Sequence, residues 1–315
     1  MSRALKGSAN CKMESERLKG HLAMGMAAAI WGMMSPITKL VTQEGYVSAF
    51  ALAAFRLLGG AVLFWLASAL IPSEQVEKGD RLKLFYASLF GIVFNQMAFT
   101  VGVGFTSPAD ASIITTITPI LTLILSVIVL KEAVTGKKIA GICASAAGAV
   151  LLISTAGHRT ALPGDNNMLG DLLCLSSQCS VAVYFIFFNR LFAKYSPITL
   201  MKWMFTYASA VCLPFTFREI SNIPYTEIHG QTWLCVSYVV VLATFFSYIC
   251  LSYAQRRIKP TAVSMYNYSQ PVIASTMAVL WGMDHFGWLK AVSVLLVFAG
   301  VFLVTRSNTS IIQEH

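Results

Sequence analysis

The sequence is short of charge. Only 12% of its 315 residues are charged, against roughly a quarter in soluble globular domains, and the mean hydropathy is +0.67. That excludes an ordinary soluble domain and leaves an integral membrane protein. Its 14 acidic residues avoid the middle of every apolar run: Asp110 and Glu132 fall at helix ends and Asp171 near a boundary. The five histidines lie at the ends of apolar runs, in loops or at the terminus, with no ligand spacing among them, so neither a metal site nor a cofactor is expected. The seven cysteines include no CxxC pair, and all but Cys11 fall in apolar runs, where they read as small hydrophobes. No GxxxxGK[ST] loop occurs, which argues against direct use of ATP. The first 19 residues are polar and basic, so no cleavable signal is expected and the first apolar run should direct insertion. An enzyme needs a nucleophile, base or metal within mutual reach; the apolar runs supply none, and no catalytic residue is assigned.

What is present is apolar length. A membrane-spanning helix needs about 20 apolar residues, and the chain divides into ten such segments. A formal charge of +9 is also found in nucleic-acid-binding proteins, but here the basic residues segregate by loop. Lys39, Arg159, Arg218 and Lys290 fall on one set of loops and Arg56 inside a span, while every other Lys and Arg falls on the opposite set, including Lys78, Arg81, Lys83, Lys131, Lys137, Lys138, Arg190, Lys194, Arg256, Arg257 and Lys259. By the positive-inside rule the richer set is cytoplasmic, with both termini. The partners implied are the lipid bilayer and a small-molecule substrate, not nucleic acid; nothing in the sequence fixes an oligomeric state, and a monomer suffices.

An internal repeat organises the chain. SPADASIITTITPILTLILSVIVLKE (107–132) is echoed by KPTAVSMYNYSQPVIASTMAVLWGMD (259–284): Pro108 falls on Pro260, Pro119 on Pro271, Glu132 on Asp284 and Gly148 on Gly300, always 152 positions apart. Such an offset marks two copies of one unit. Pro119 and Pro271 lack the N–H that would bond four residues back, freeing the carbonyls of Thr115 and Asn267. One such break is often only a packed kink; a matched pair points to a cavity, because interrupted helices in membranes are tolerated where protein or water lies alongside. Pro36 in the first span is a third candidate break. Five spans per copy is an odd number, so the second copy must enter from the opposite side. The expected fold is an all-α integral membrane protein of ten transmembrane helices as two inverted five-helix repeats: a basic cytoplasmic tail (1–19), a first repeat (20–155), an extracytoplasmic linker (156–168), a second repeat (169–306) and a cytoplasmic tail (307–315). Inverted repeats with interrupted helices at the midplane are a feature of secondary transporters.

Polar side chains on helical faces give the candidate binding residues: Trp31 and Ser35 in the first span, Asn95 and Gln96 in the third, Thr115 and Thr118 in the fourth, Gln178 in the sixth, Tyr248 in the eighth, and Asn267 and Gln270 in the ninth. Threonines in such helices commonly bond their own backbone, so the stripe matters more than any one of them. Arg56 lies roughly 12 Å into the second span by helical rise, where a charge costs at least about 2.5–3.5 kcal/mol. It has no twin in the second copy. Two readings stand open for it: an anion contact in the path, or a side chain that snorkels outward or caps free carbonyls. Asp110 is the boundary carboxylate available for coupling.

AAAIWGMMSPITKL, FRLLGGAVLF around Arg56 and the paired proline segments, in this order and spacing over 20–306, resemble the drug/metabolite transporter superfamily, specifically members with two EamA-type domains. The resemblance implies ten spans, cytoplasmic termini, residence in a bacterial inner membrane and export of metabolites or amino acids. Asp284 stands where that family more usually has Glu. A lining of amides, hydroxyls and aromatics suits amino acids or small neutral or amphipathic metabolites. A phosphorylated substrate would call for several cations, which weighs against the nucleotide-sugar and organophosphate exchangers of the same superfamily. A channel or receptor is the other class left open, though selective pores normally repeat their filter around an axis.

Overall fold

The computed structural model describes residues 2–43, 45–105, 114–155, 167–280 and 287–310, and among them the regular structure is entirely helical. In the first half, α1 is Ser2–Gln43, α2 Ala49–Ala69, α3 Lys78–Ser88, α4 Asn95–Phe105, α5 Thr118–Leu130 and α6 Gly136–Thr155. In the second half, α7 is Asn167–Phe187, α8 Asn189–Lys194, α9 Pro197–Ser221, α10 Gly230–Ser237, α11 Ser247–Gln255, α12 Pro260–Met265, α13 Ser269–Leu280 and α14 Trp288–Ser310. Five stretches among the described residues are long and apolar enough to cross a membrane: Phe50–Ala69, Lys78–Phe99, Met168–Phe187, Pro197–Ser221 and Gly230–Gln255. Thr118–Leu130 and Ala291–Val304 are shorter apolar helices. Large apolar side chains such as Leu66, Ile128, Phe215, Leu295 and Phe302 point outward, as they must where hydrocarbon rather than water is the solvent.

Local signals set several ends. Ser48 caps α2 by accepting the Ala51 N–H at 3.1 Å, and Ser196 accepts that of Thr199 at 3.3 Å just before Pro197; both satisfy amides a helix start leaves free. At the end of α5, Lys131 adopts a left-handed φ of 52° and the Glu132 N–H returns to the Ser126 carbonyl at 3.1 Å. This turn folds Glu132 back under the helix.

The helix interruptions do not all follow the sequence reading. α1 continues as helix through Pro36, so the break expected there is absent: proline removes one hydrogen bond, and the bonds on either side hold the rod. In the fourth segment Ile114 and Thr115 are helical, Thr116 and Ile117 form a turn, and α5 restarts with Pro119 in its first turn. In the ninth, a 3₁₀ turn at Tyr266–Tyr268 separates α12 from α13. The sixth segment, read as one helix from Leu169 to Leu191, is divided at Phe188 between α7 and α8. Two π-helical stretches carry no sequence signal: Leu89–Phe94 joins α3 to α4 and Tyr238–Phe246 joins α10 to α11. Their ends, Phe94 and Phe246, lie one repeat offset apart.

Helices from the two halves interleave. α6 packs along α14, α2 along α9, α1 on α11 and α13, and α7 on α4 and α5. The α6–α14 contact runs on small residues. A Cβ built on Gly141 would stand 2.7 Å from the Gly300 carbonyl oxygen, and one on Gly148 would stand 2.8 Å from that of Ser293. These contacts exchange when each residue is moved by one repeat offset. Between them Ser145 Oγ donates to the Val297 carbonyl at 3.0 Å, across that same separation of 152. The main core cluster draws Met24, Leu57 and Ile92 from the first half and Tyr184, Phe205 and Tyr248 from the second.

Candidate functional site

Four of the sequence-predicted residues join into one polar chain. Asn95, the first residue after the π stretch, donates from Nδ2 to Ser177 Oγ at 3.2 Å. Ser177 contacts the Gln178 amide at 3.3 Å, the other end of that amide meets Thr118 Oγ1 at 2.6 Å, and Thr118 Oγ1 reaches the Thr115 carbonyl at 2.9 Å. A hydroxyl has one proton, so Thr118 cannot donate fully to both Gln178 and Thr115. Turning the Gln178 amide end for end removes the conflict, because its NH₂ can donate where the hydroxyl has no second proton to give. Nε2 then donates to Thr118, Thr118 to the carbonyl freed by Pro119, and Ser177 to the amide oxygen. This chain ties α4, α5 and α7 together. Replacing Gln178 with leucine leaves buried hydroxyls with fewer partners and should cost about 1–3 kcal/mol, read as a lowered melting temperature of the purified protein. An unchanged melting temperature would mean the chain is not formed.

The second group is aromatic and sits on the Tyr238–Phe246 stretch. In this widened turn Thr244 and Ser247 hydroxyls bond carbonyls five residues back, at 2.9 Å each, and the Ala243 carbonyl accepts Trp31 Nε1 at 2.8 Å. Trp31 also meets Tyr248 edge-on at 5.8 Å between centroids, and Tyr248 meets Phe205 at 5.1 Å. Arg56 Nε donates to Thr244 Oγ1 at 3.1 Å. Asn267 and Gln270 form a third, smaller group, a 3.2 Å amide pair across the α12–α13 break, where Gly32 of α1 packs on Ile273 and the Gln270 carbonyl. Gln96 is 8% exposed, and neither end of its amide has a partner among the described residues. Ser35 and Pro36 lie in α1, but their side chains, like the whole of Asp110, fall outside the described residues.

The sequence reading missed the charged clusters. Glu132 and Lys138 pair at 2.7 Å with side-chain exposures of 5% and 1%, and Glu132 Oε2 accepts the Thr261 hydroxyl at 2.6 Å. Burial pushes the Glu132 carboxyl up, but the donors Lys138 and Thr261 outweigh it and hold its pKa below the ordinary carboxylate value. Asp80 binds Lys194 at 2.6 Å, Lys83 at 2.8 Å and the Tyr195 hydroxyl at 2.7 Å; hydrogen bonds from Lys194 to Asp80 and then Glu77 raise the Lys194 pKa. Glu16 pairs with Arg257 at 2.8 Å. No single-residue signal marks these clusters, because apart from the local Asp80–Lys83 contact each joins residues at least six positions apart in sequence. A groove of about 440 Å³ between α2 and α9, lined by Ala61, Trp65 and Thr206 among others, contains none of the predicted residues and faces the apolar surround.

Comparison with known proteins agrees in kind. Residues 18–154 and 168–306 each match the profile described as the EamA-like transporter family. An uncharacterized transporter of Archaeoglobus fulgidus is 25% identical over 293 residues, spanning 92% of this chain and 100% of the relative. The uncharacterized transporter YdfC of Bacillus subtilis is 28% identical over 241 residues, 76% of this chain and 75% of that one. A WAT1-related protein of Arabidopsis thaliana is 25% identical over 92% of this chain and 79% of its own length. One crystal structure superposes with a TM-score of 0.76 over 95% of this chain and 99% of the other, at 18% identity, a likeness of fold.

Proposed function

Because the chain belongs to the EamA-like transporter family, we propose that it is a ten-span secondary carrier. On this reading it exports amino acids or small neutral or amphipathic metabolites across a bacterial inner membrane by alternating access between two inverted repeats. The observation that carries the reading is the reciprocity of contacts. Gly141 on Gly300 and Gly148 on Ser293 are the same contact written twice, which is what a two-fold relation between halves produces. The ion pairs agree. Glu16 with Arg257, Asp80 with Lys194, and Glu132 with Lys138 and Lys259 join only those segments that the charge count assigns to the cytoplasm. Ser48 with Glu219 joins two assigned to the opposite side. Inverted repeats hold substrate near the midplane, at interrupted helices, and the polar chain and the aromatic group both lie beside such interruptions.

Two measurements test this. With the native cysteines replaced, Gly136→Cys and Trp288→Cys occupy equivalent positions of the two copies, and a membrane-impermeant maleimide should reach Trp288→Cys in intact cells and Gly136→Cys only after the membrane is opened. Labelling of both from one side would contradict the inversion. In proteoliposomes, internal unlabelled solute should accelerate uptake of the labelled solute, which a channel does not do.

A further inference from the structure

Resting on the carrier reading, we propose that Arg56 is the substrate's anchor: a carboxylate docks end-on across its two Nη atoms while an apolar or aromatic body lies against Trp31 and Tyr248. The substrates are then amphipathic monocarboxylates, and neutral or cationic analogues of the same shape are rejected.

Four observations carry this. The guanidinium points into the protein, because its partner Thr244 belongs to the eighth segment. Among the described residues it has no carboxylate partner and its one hydrogen bond uses Nε, so neither Nη group is engaged by them. Arg56 is neither fully buried nor exposed, and its Nη atoms are not among the buried polar atoms that lack partners, so they keep some accessible surface. A guanidinium offers two bidentate edges to a carboxylate. Thr244 occupies Nε, which leaves the Nη pair. Thr244 is itself fixed, since its proton goes to the Val239 carbonyl at 2.9 Å and it accepts from Arg56. The cation is therefore held in place without being neutralised, and a mid-membrane charge of that kind marks a substrate pathway. One cation suits a singly charged group; phosphates draw several. The apolar wall is fixed too, because Trp31 is pinned through its indole N–H to Ala243, one residue from the Arg56 contact. The alternative role, a cap for free carbonyls, finds no support, since Arg56 bonds a hydroxyl.

The test uses the purified full chain and three matched probes, 3-phenylpropionate, 3-phenylpropionamide and phenethylamine, read by tryptophan fluorescence and by melting temperature, which binding to the native state raises. The acid should bind and the amide and amine should not, up to millimolar concentration. Arg56→Gln should weaken the acid by about tenfold or more, with Arg56→Lys intermediate because ammonium keeps charge but loses the fork. Acid and amide binding equally, no response to the acid, or an Arg56→Gln variant that melts as the parent does yet binds the acid unchanged would each overturn the proposal. If Arg56→Gln fails to fold, Arg56→Lys and the acid–amide contrast in the parent protein still decide it. The carrier reading is judged separately: counterflow of any solute by the parent sustains it even where the acid does not bind, and its absence with an acid that does bind would sink the carrier and leave the anchor standing.

Discussion

Replacing Lys138 with methionine will cost the protein about 3–5 kcal/mol, the scale of loss when one partner of a buried ion pair is removed. The Lys138 ammonium is 2.7 Å from Glu132 Oε1 and all but unexposed. Without it Glu132 retains Thr261 and a 3.7 Å approach from Lys259, and Lys259, about one-third exposed, is too wet to neutralise a buried carboxylate. Thermal unfolding of purified protein in detergent measures the loss. The double variant Glu132→Gln, Lys138→Met should recover most of it, because replacing both partners with neutral groups leaves no charge stranded. A single variant that melts with the parent would refute the pair. The sign of the pH effect follows from the depressed Glu132 pKa. Its contribution is full above the ordinary glutamate value and lost as pH falls through the lower, folded one, so over that window the parent should lose stability faster than the double variant. The pair joins the end of α5 and the start of α6, and through Thr261 the start of α12, so the same variants report on how firmly the halves are closed at that end.

Gly300→Val is expected to cost about 3 kcal/mol or more, the upper end for overpacking a tight core, and to deplete monodisperse protein. A Cβ there would run into the Ser145 hydroxyl and the Gly141 carbonyl, and would stand 2.7 Å from the Ser145 amide nitrogen. Two of these three are backbone, so no rotamer change relieves them and α6 must move off α14. In hydrocarbon, close packing of small residues and interhelical hydrogen bonds do most to hold helices together, and separation would also strain the Ser145–Val297 bond. Gly148→Val, at the equivalent position of the first copy, should behave alike; Gly230→Ala, with open space around it, should stay within about 0.5 kcal/mol of the parent. Normal melting of Gly300→Val would mean the two helices do not touch as described.

The fold and the site were legible to different depths. Class and repeat could be read because they rest on composition and on prolines and glycines recurring at one offset, properties that survive without knowing any contact. Pro36 shows the limit: the same residue that marks a break near Thr115 passes through α1 unbroken, because what a proline does depends on the bonds around it. The π stretches were invisible, since π and α turns use the same residues and differ only in which carbonyl each amide finds. Arg56 was recognisable as costly, yet its partner Thr244 sits 188 residues away on one of those stretches. Ser177 went unremarked beside Gln178, although it completes the polar chain.

By itself, then, the sequence determined that this protein lives in a bilayer, is all-helical, is built twice over, and belongs with a family of transporters, because each of these follows from how apolar, basic and helix-breaking residues are spaced. Tertiary structure alone decided which polar groups meet: that Asn95, Gln178 and Thr118 share a chain through Ser177, that Glu132 is neutralised by Lys138, and that Arg56 is held by a hydroxyl rather than a carboxylate. The reason is physical. Spacing fixes the face of a helix on which a side chain lies, whereas a partner is fixed only when another helix is set against that face at a particular depth and rotation.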